Sequence, residues 1–94
     1  MISQSFVPLG YQQLTLTGTA QKLTVPTGAT VAVIAVETAN ARWRDDGTAP
    51  TASVGVPMAT TDSPLQYSGT LTALQFIAQT GSPVLDCSFY RTAG

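Results

Sequence analysis

The chain contains no histidine and only one cysteine, Cys87. Without histidine, neither a Ser–His nor a Cys–His nucleophile pair can form. A single thiol cannot form a disulfide within the chain, and without histidine it gives little basis for a zinc site. We therefore expect no enzyme activity, no catalytic or metal-binding residues and no cofactor.

Charge is also scarce. Charged residues make up 10% of the chain, whereas about 25% is usual in soluble domains. The four basic residues leave a net charge of −1, which disfavours binding to nucleic acid because that affinity depends on neutralising phosphates. A surface rich in threonine and alanine loses its water at little cost when a protein partner binds. We therefore favour a protein-binding role over that of a generic soluble domain.

Long hydrophobic runs are missing as well. The longest apolar stretch, Val31–Val36, is far shorter than the roughly 20 residues of a membrane-spanning helix. The segment Met1–Gly10 has neither a basic start nor an apolar run that is typical of a signal peptide. We expect no membrane partner, and a protein that is made in a cytoplasm and leaves it only as part of a larger assembly.

What the chain does contain is β-branched residues, with glycine and proline every few positions and no sustained helical periodicity. This pattern predicts an all-β protein with one domain spanning residues 1–94. About seven or eight short antiparallel strands would form a β-sandwich or a flattened barrel. Thr30–Glu37 is the most apolar segment, and we expect it to be a central strand covered on both sides.

Three hairpins are predicted from turn residues and alternation. The first joins Tyr11–Thr17 to Ala20–Val25 through Gly18. In the second, a four-residue loop after the central strand places Glu37 opposite Arg42.

The third hairpin joins 72–79 to 82–91 through a two-residue turn. It places Phe76 opposite Leu85 and Cys87 on the same apolar face. Cys87 is therefore interpreted as a buried small hydrophobic residue.

A long irregular segment, Asp45–Ser63, follows the predicted second hairpin, with a short strand expected near Val54–Met58. Loops of this length are usually functional. The sequence Arg-Trp-Arg-Asp-Asp-Gly at 42–47 has two interpretations. It could be a binding hot spot, since Trp and Arg dominate these. The favoured alternative is structural, with arginines paired to Glu37 and nearby aspartates and Trp43 in the core.

The stretch Val25–Met58, and above all its Arg-Trp-Arg-Asp-Asp-Gly-Thr-Ala-Pro-Thr block, resembles small proteins encoded in tailed bacteriophages and prophages. Tyr67–Gly69 and Leu74–Ile77 also fit that pattern, although Gly69 is not followed by its usual acidic residue. The resemblance covers about two-thirds of the chain.

This resemblance implies a virion structural protein, assembled in the host cytoplasm. A capsid decoration (cement) protein is the leading hypothesis, with the major capsid protein or other virion proteins as partners and a homotrimer as the favoured oligomer. The alternatives are a head–tail or tail component, or a carbohydrate-binding or adhesin module that uses Trp43 and the tyrosines for stacking.

Two segments are expected to supply the contacts with partners. The first is an N-terminal arm within residues 1–10, which could extend onto a neighbouring subunit or instead form the first strand of its own sheet. The second is the long irregular segment. The candidate partner-binding residues are Phe6, Val7, Leu9, Arg42, Arg44, Asp46, Thr48, Pro50, Val56 and Met58.

Overall fold

The computed structural model describes residues 5–93, which form two antiparallel four-stranded sheets packed face to face. The strands are β1 (Ser5–Thr15), β2 (Gln21–Lys22), β3 (Val31–Glu37), β4 (Ala41–Arg44), β5 (Val56–Met58), β6 (Leu65–Tyr67), β7 (Gln75–Ala78) and β8 (Val84–Ala93). Sheet A has the order β1-β8-β3-β6 and sheet B the order β2-β7-β4-β5. The prediction of an all-β sandwich is confirmed.

The only helical element in residues 5–93 is a 3₁₀ turn at Leu71–Ala73. Within the same range, no helix is long and apolar enough to cross a membrane.

The core lies between the two sheets and follows the alternation of the strands. Sheet A contributes alternate residues of β3 and β8, including Ile34 and Phe89, and sheet B contributes Phe76 from β7. Cys87 is buried in this core, as predicted. Burial of such side chains contributes roughly 1.5–3 kcal/mol each, which makes the core the main source of stability.

The predicted hairpins are wrong, because all three connections cross from one sheet to the other. β1 and β3 belong to sheet A, whereas β2 and β4, which follow them, belong to sheet B. In the same way β7 belongs to sheet B and β8 to sheet A. Apolar alternation places residues on the core side of a strand, but it does not distinguish neighbours in one sheet from residues that face each other across the core.

Phe76 and Leu85 show the consequence. They were predicted to be paired neighbours, but Phe76 pairs with Trp43 in sheet B and Leu85 pairs with Val36 and Leu14 in sheet A. Both are fully buried, so they share the core from opposite sides.

Two of the crossing connections lie side by side. Thr38, between β3 and β4, has a φ of 73°, in the left-handed region that β-branched residues rarely occupy. Its hydroxyl shares one proton between the carbonyl of Glu37, at 2.6 Å, and the carbonyl of Ser82, between β7 and β8, at 3.0 Å. The backbone N–H of Gln79 donates to the carbonyl of Asn40 at 3.0 Å. These bonds fix the position of both connections at one end of the sandwich.

β3 is an interior strand of sheet A, between β8 and β6, as predicted. Its core-facing residues, such as Ile34, are buried, whereas Val33 and Ala35 on the other face are half-buried. The expectation that β3 is covered on both sides therefore holds fully only for its inner face.

The N-terminal segment is a strand from residue 5 onward, so the extended-arm hypothesis is wrong for residues 5–10. β1 pairs with β8 from Ser5 opposite Ala93 to Thr15 opposite Val84, with a bulge between Pro8 and Gly10. Residues 1–4 of the predicted arm lie outside the described residues. The strand begins early because no turn residue interrupts the chain before the bulge, so the apolar residues can stay in the ladder.

Candidate protein-binding surfaces

Arg42 organises the loop between β4 and β5. Its Nε donates a hydrogen bond to the carbonyl of Ala52 at 3.0 Å, and its Nη1 donates to the carbonyl of Gly55 at 2.9 Å. A guanidinium offers donors in a fixed fork, so two carbonyls of one loop can be held at once. The predicted pairing of Arg42 with Glu37 is wrong, because Arg42 lies in sheet B, between Ile77 and Pro57.

Arg44 and Asp46 form a two-pronged ion pair at the start of the same loop. The Nε of Arg44 donates to Oδ1 of Asp46 at 2.9 Å, and its Nη2 donates to Oδ2 at 2.5 Å. These hydrogen bonds hold the pKa of Asp46 below its ordinary value and raise the pKa of Arg44. Gly47, the next residue, turns the chain with a φ of 87°. The expected pairing of an arginine with a nearby aspartate is confirmed here.

Asp45 connects the loop to the edge of sheet A. Its Oδ2 accepts a hydrogen bond from the hydroxyl of Tyr67 at 2.6 Å, and this bond raises the pKa of Tyr67. The Tyr67 ring packs against Trp43 with the ring centroids 6.0 Å apart and an angle of 77° between the planes. This edge-to-face arrangement is a favourable one for aromatic pairs. The contacts join the two sheets where β6 lies over β4.

The far end of the loop is compact. Thr51 and Val54 exchange backbone hydrogen bonds of 2.9 and 3.3 Å, and the Thr51 hydroxyl accepts from the N–H of Ser53 and of Val54. Gly55 has a φ of 146°, and a Cβ there would lie 3.2 Å from Cβ of Arg42 and Cβ of Pro50. We call residues 46–54 the anchored loop, because internal side-chain bonds fix it at both ends.

The candidate residues of this region have different positions. Arg42, Arg44 and Asp46 tie the loop from within, and Pro50 is buried beneath it. Thr48 is exposed at the tip of the loop. These five residues are therefore brought together, although only some of them reach the outer surface.

Val56 and Met58 lie on β5, beyond the loop. Val56 is 46% exposed, whereas Met58 belongs to the buried core and offers little contact surface. Val56 lines two open pockets of about 350 and 310 Å³. The larger lies between the edge strands β5 and β6, over Trp43, and the smaller lies beside Arg44 and Asp46.

The N-terminal candidates lie elsewhere, on β1. Phe6 is 36% exposed and packs against Tyr90 with ring centroids 6.0 Å apart, while Val7 and Leu9 are half-buried. β1 is at one edge of sheet A, and β6, which contacts the loop region through Tyr67, is at the other. The two predicted contact segments therefore form separate surfaces.

The sequence interpretation missed a polar cluster on the outer face of sheet A. Oδ1 of Asp86 accepts hydrogen bonds from the Tyr11 hydroxyl at 2.7 Å and from Nε2 of Gln13 at 2.9 Å. Hydrogen bonding with the Glu37 carboxyl, and then that from Tyr11, lowers the pKa of Asp86, and the same contact with Asp86 raises the pKa of Glu37. Tyr11 and Gln13 are two residues apart and so share a face of β1. That Asp86 lies beside them follows only from the pairing of β1 with β8, which the sequence does not give.

The remaining chemistry is limited. Burial raises the pKa of the Cys87 thiol to about 12, which keeps it protonated in the core. Within residues 5–93, no three His, Cys, Asp or Glu side chains come together as metal ligands. The tryptophan and the three tyrosines are divided between the Trp43–Tyr67 pair and the outer face of sheet A, where Tyr11 and Tyr90 lie on neighbouring strands.

Comparisons of the chain with protein-family models, with curated proteins and with solved structures find no match.

Proposed function

We propose that this chain is a structural protein of a bacteriophage virion, a decoration protein that binds the outer surface of the capsid and stabilises the head. The observation that carries the proposal is the anchored loop. The block that resembles phage accessory proteins is the segment that builds this loop, and its charged groups are used to tie it down.

The surface of the anchored loop suits protein binding. Past Asp46 it presents uncharged residues, among them Thr48, Ala49, Ala52 and Ser53, all exposed. Few ions must lose their water when such a surface is covered. Because the loop is already held in one conformation, little further ordering is needed on binding, and this favours affinity.

The partner that we propose is the major capsid protein. A protein that reinforces a shell must be present in many copies, so its abundance in the particle distinguishes this function from other virion roles. Gel densitometry or quantitative mass spectrometry of purified particles should give a copy number close to that of the major capsid protein. Six or twelve copies would instead indicate a neck or tail component, and absence from the particle would refute both.

A second experiment tests the anchored loop itself. Thr48→Glu adds a charge at the exposed tip, and Thr27→Glu adds the same charge in an exposed turn elsewhere. In cosedimentation with particles that lack the protein, we expect Thr48→Glu to weaken binding at least about tenfold, because a buried unpaired charge is costly. Thr27→Glu should bind like the original chain. Equal binding by both variants would show that the loop is not the contact surface.

A further inference from the structure

The four strands at the sheet edges are protected to different degrees. In sheet B, β2 has two residues and includes Lys22, and β5 has three and includes Pro57. In sheet A, β6 has three residues, whereas β1 has eleven. Short edges, lysine and proline are the usual devices that prevent another strand from pairing with an edge. β1 is too long to be protected by shortness, and it contains no lysine.

The two halves of β1 differ in this respect. The first half contains Pro8 and the bulge between Pro8 and Gly10, both of which interrupt pairing. The second half, residues 10–15, is regular and pairs residue by residue with β8. No charged side chain occurs between residues 5 and 21. The second half of β1 is therefore an open and uncharged edge.

The direction of the backbone groups identifies which residues are available. The N–H of Leu16 donates to the carbonyl of Pro83 at 2.8 Å, so residue 16 directs its backbone groups toward β8. Because these directions alternate along a strand, the backbone N–H and C=O groups of Gly10, Gln12 and Leu14 also point toward β8. The backbone groups of Tyr11, Gln13 and Thr15 then point to the free edge. In agreement, the Thr15 carbonyl accepts a bond from Nε2 of Gln21, which lies outside sheet A.

We propose that a second copy of this chain pairs with this edge, with the two β1 strands antiparallel about a two-fold axis at Gln12. Tyr11 of each copy lies opposite Gln13 of the other, and each such pair exchanges two backbone hydrogen bonds. The ladder ends at the bulge on one side. On the other side it ends at Thr15, whose carbonyl is already bonded to Gln21. Two sheets A thereby become one continuous sheet.

A second copy is the occupant that fits best, because the edge is complementary to itself. In a two-fold contact the same segment of each copy meets the other, so its side chains must be compatible with themselves. A strand without charged side chains meets this condition, because no like charges come together. Tyr11, which is 61% exposed in the single chain, would be partly covered by Gln13 of the second copy. The two-fold pairing differs from the threefold order implied by the resemblance, and it does not depend on the proposed virion function.

Amide hydrogen exchange tests the pairing on the unmodified protein. In a single chain, the amides of Gln12 and Leu14 are protected by β8, whereas those of Tyr11 and Gln13 exchange freely. In the pair, Tyr11 and Gln13 should gain at least about tenfold protection as the concentration rises from about 10 µM to about 1 mM. Free exchange of these two amides at the higher concentration would overturn the proposal.

A matched pair of substitutions tests the same contact by mass. Gln13→Lys and Gln66→Lys place one lysine on the same face of sheet A, at its two opposite edges. Sedimentation should give twice the 9.8 kDa chain mass for the unmodified protein and for Gln66→Lys. Gln13→Lys should weaken association at least about tenfold, because it brings lysine to the pairing edge. A trimer, a monomer at about 1 mM, or equal association of both variants would each refute the edge pairing.

Discussion

The two sheets cover the same core but are held in place in different ways. Sheet A contains strands of 11, 10 and 7 residues, so its position is determined largely by the backbone ladder. The strands of sheet B have only 2 to 4 residues, too few for a ladder that is stable alone. Side chains replace the missing ladder bonds, above all Arg42 bonded to two loop carbonyls and Tyr67 bonded to Asp45. The side chains that make these bonds, Arg42, Asp45 and Tyr67, lie in or next to the short strands β4 and β6.

The largest expected effect comes from the core that both sheets share. Phe76 of sheet B and Phe89 of sheet A are both almost fully buried. Replacing either by alanine should lower the free energy of unfolding by about 3–5 kcal/mol, because a large cavity remains. Chemical denaturation followed by the fluorescence of Trp43, which is in sheet B, and by far-UV circular dichroism should give coincident transitions. Separate transitions would mean that the sheets unfold independently.

Sheet B should depend strongly on Arg42, whereas an exposed arginine of sheet A should matter little. Arg42→Met keeps most of the apolar stem but removes the donors to the carbonyls of Ala52 and Gly55. We expect a loss of about 2–3 kcal/mol, since hydrogen bonds to charged donors are stronger than neutral ones. Arg91→Met, at an exposed position of β8, is the matched control and should change stability by at most about 0.5 kcal/mol. Similar losses in both variants would contradict the special role of Arg42.

Gly55 tests whether the anchored loop is constrained by its backbone as well. Gly55→Ala introduces a Cβ 3.2 Å from the carbonyl oxygen of Trp43, in a conformation with positive φ. We expect a loss of about 1–2 kcal/mol from strain and crowding. Gly18→Ala is the control, because nothing lies within 4 Å of a Cβ there. Thermal unfolding of both variants measures the difference, and an unchanged melting temperature for Gly55→Ala would show that the loop can adjust.

The same contrast explains how much could be predicted from the sequence. The all-β class, the central strand β3, the short strand β5 and the burial of Cys87 follow from local alternation and turn residues, and they are confirmed. Strand partners are not local. Phe76 and Leu85 have the alternation of a hairpin, but the β7–β8 connection, whose Ser82 carbonyl accepts a hydrogen bond from Thr38, crosses from one sheet to the other and separates them.

In the candidate surfaces, too, local contacts could be predicted from the sequence and contacts between distant segments could not. The Arg44–Asp46 pair is two residues apart and was predictable, because neighbouring side chains on one face of a strand end can meet. The bonds from Arg42 to the carbonyls of Ala52 and Gly55 depend on how the loop folds back, and the cluster around Asp86 depends on the β1–β8 register. Both require tertiary structure, which the sequence pattern does not contain.

The smallest expected effect concerns the polar cluster of sheet A, where the ladder already holds the strands. Tyr11→Phe removes the hydroxyl that donates to Asp86 and should therefore raise the pKa of Asp86 toward its ordinary value. A carboxyl whose pKa is lowered by folding stabilises the protein above its unfolded pKa, and this contribution is lost as the pH falls through the folded pKa. Glu37, whose pKa is raised, acts in the opposite sense and becomes more favourable as the pH falls through its folded pKa.

The net pH dependence of this cluster should thus be weak, and Tyr11→Phe should reduce stability near neutral pH less than Phe76→Ala, Arg42→Met or Gly55→Ala. Carbon-13 NMR titration of the carboxyl groups measures the pKa of Asp86 directly. Tyr90→Phe removes a hydroxyl from the same face of sheet A and is the matched control, since the hydroxyl bonded to Asp86 is that of Tyr11. If Tyr11→Phe left the pKa of Asp86 unchanged, or lowered stability as much as Arg42→Met, side chains would matter in sheet A as much as in sheet B. The contrast between the two sheets would then be lost.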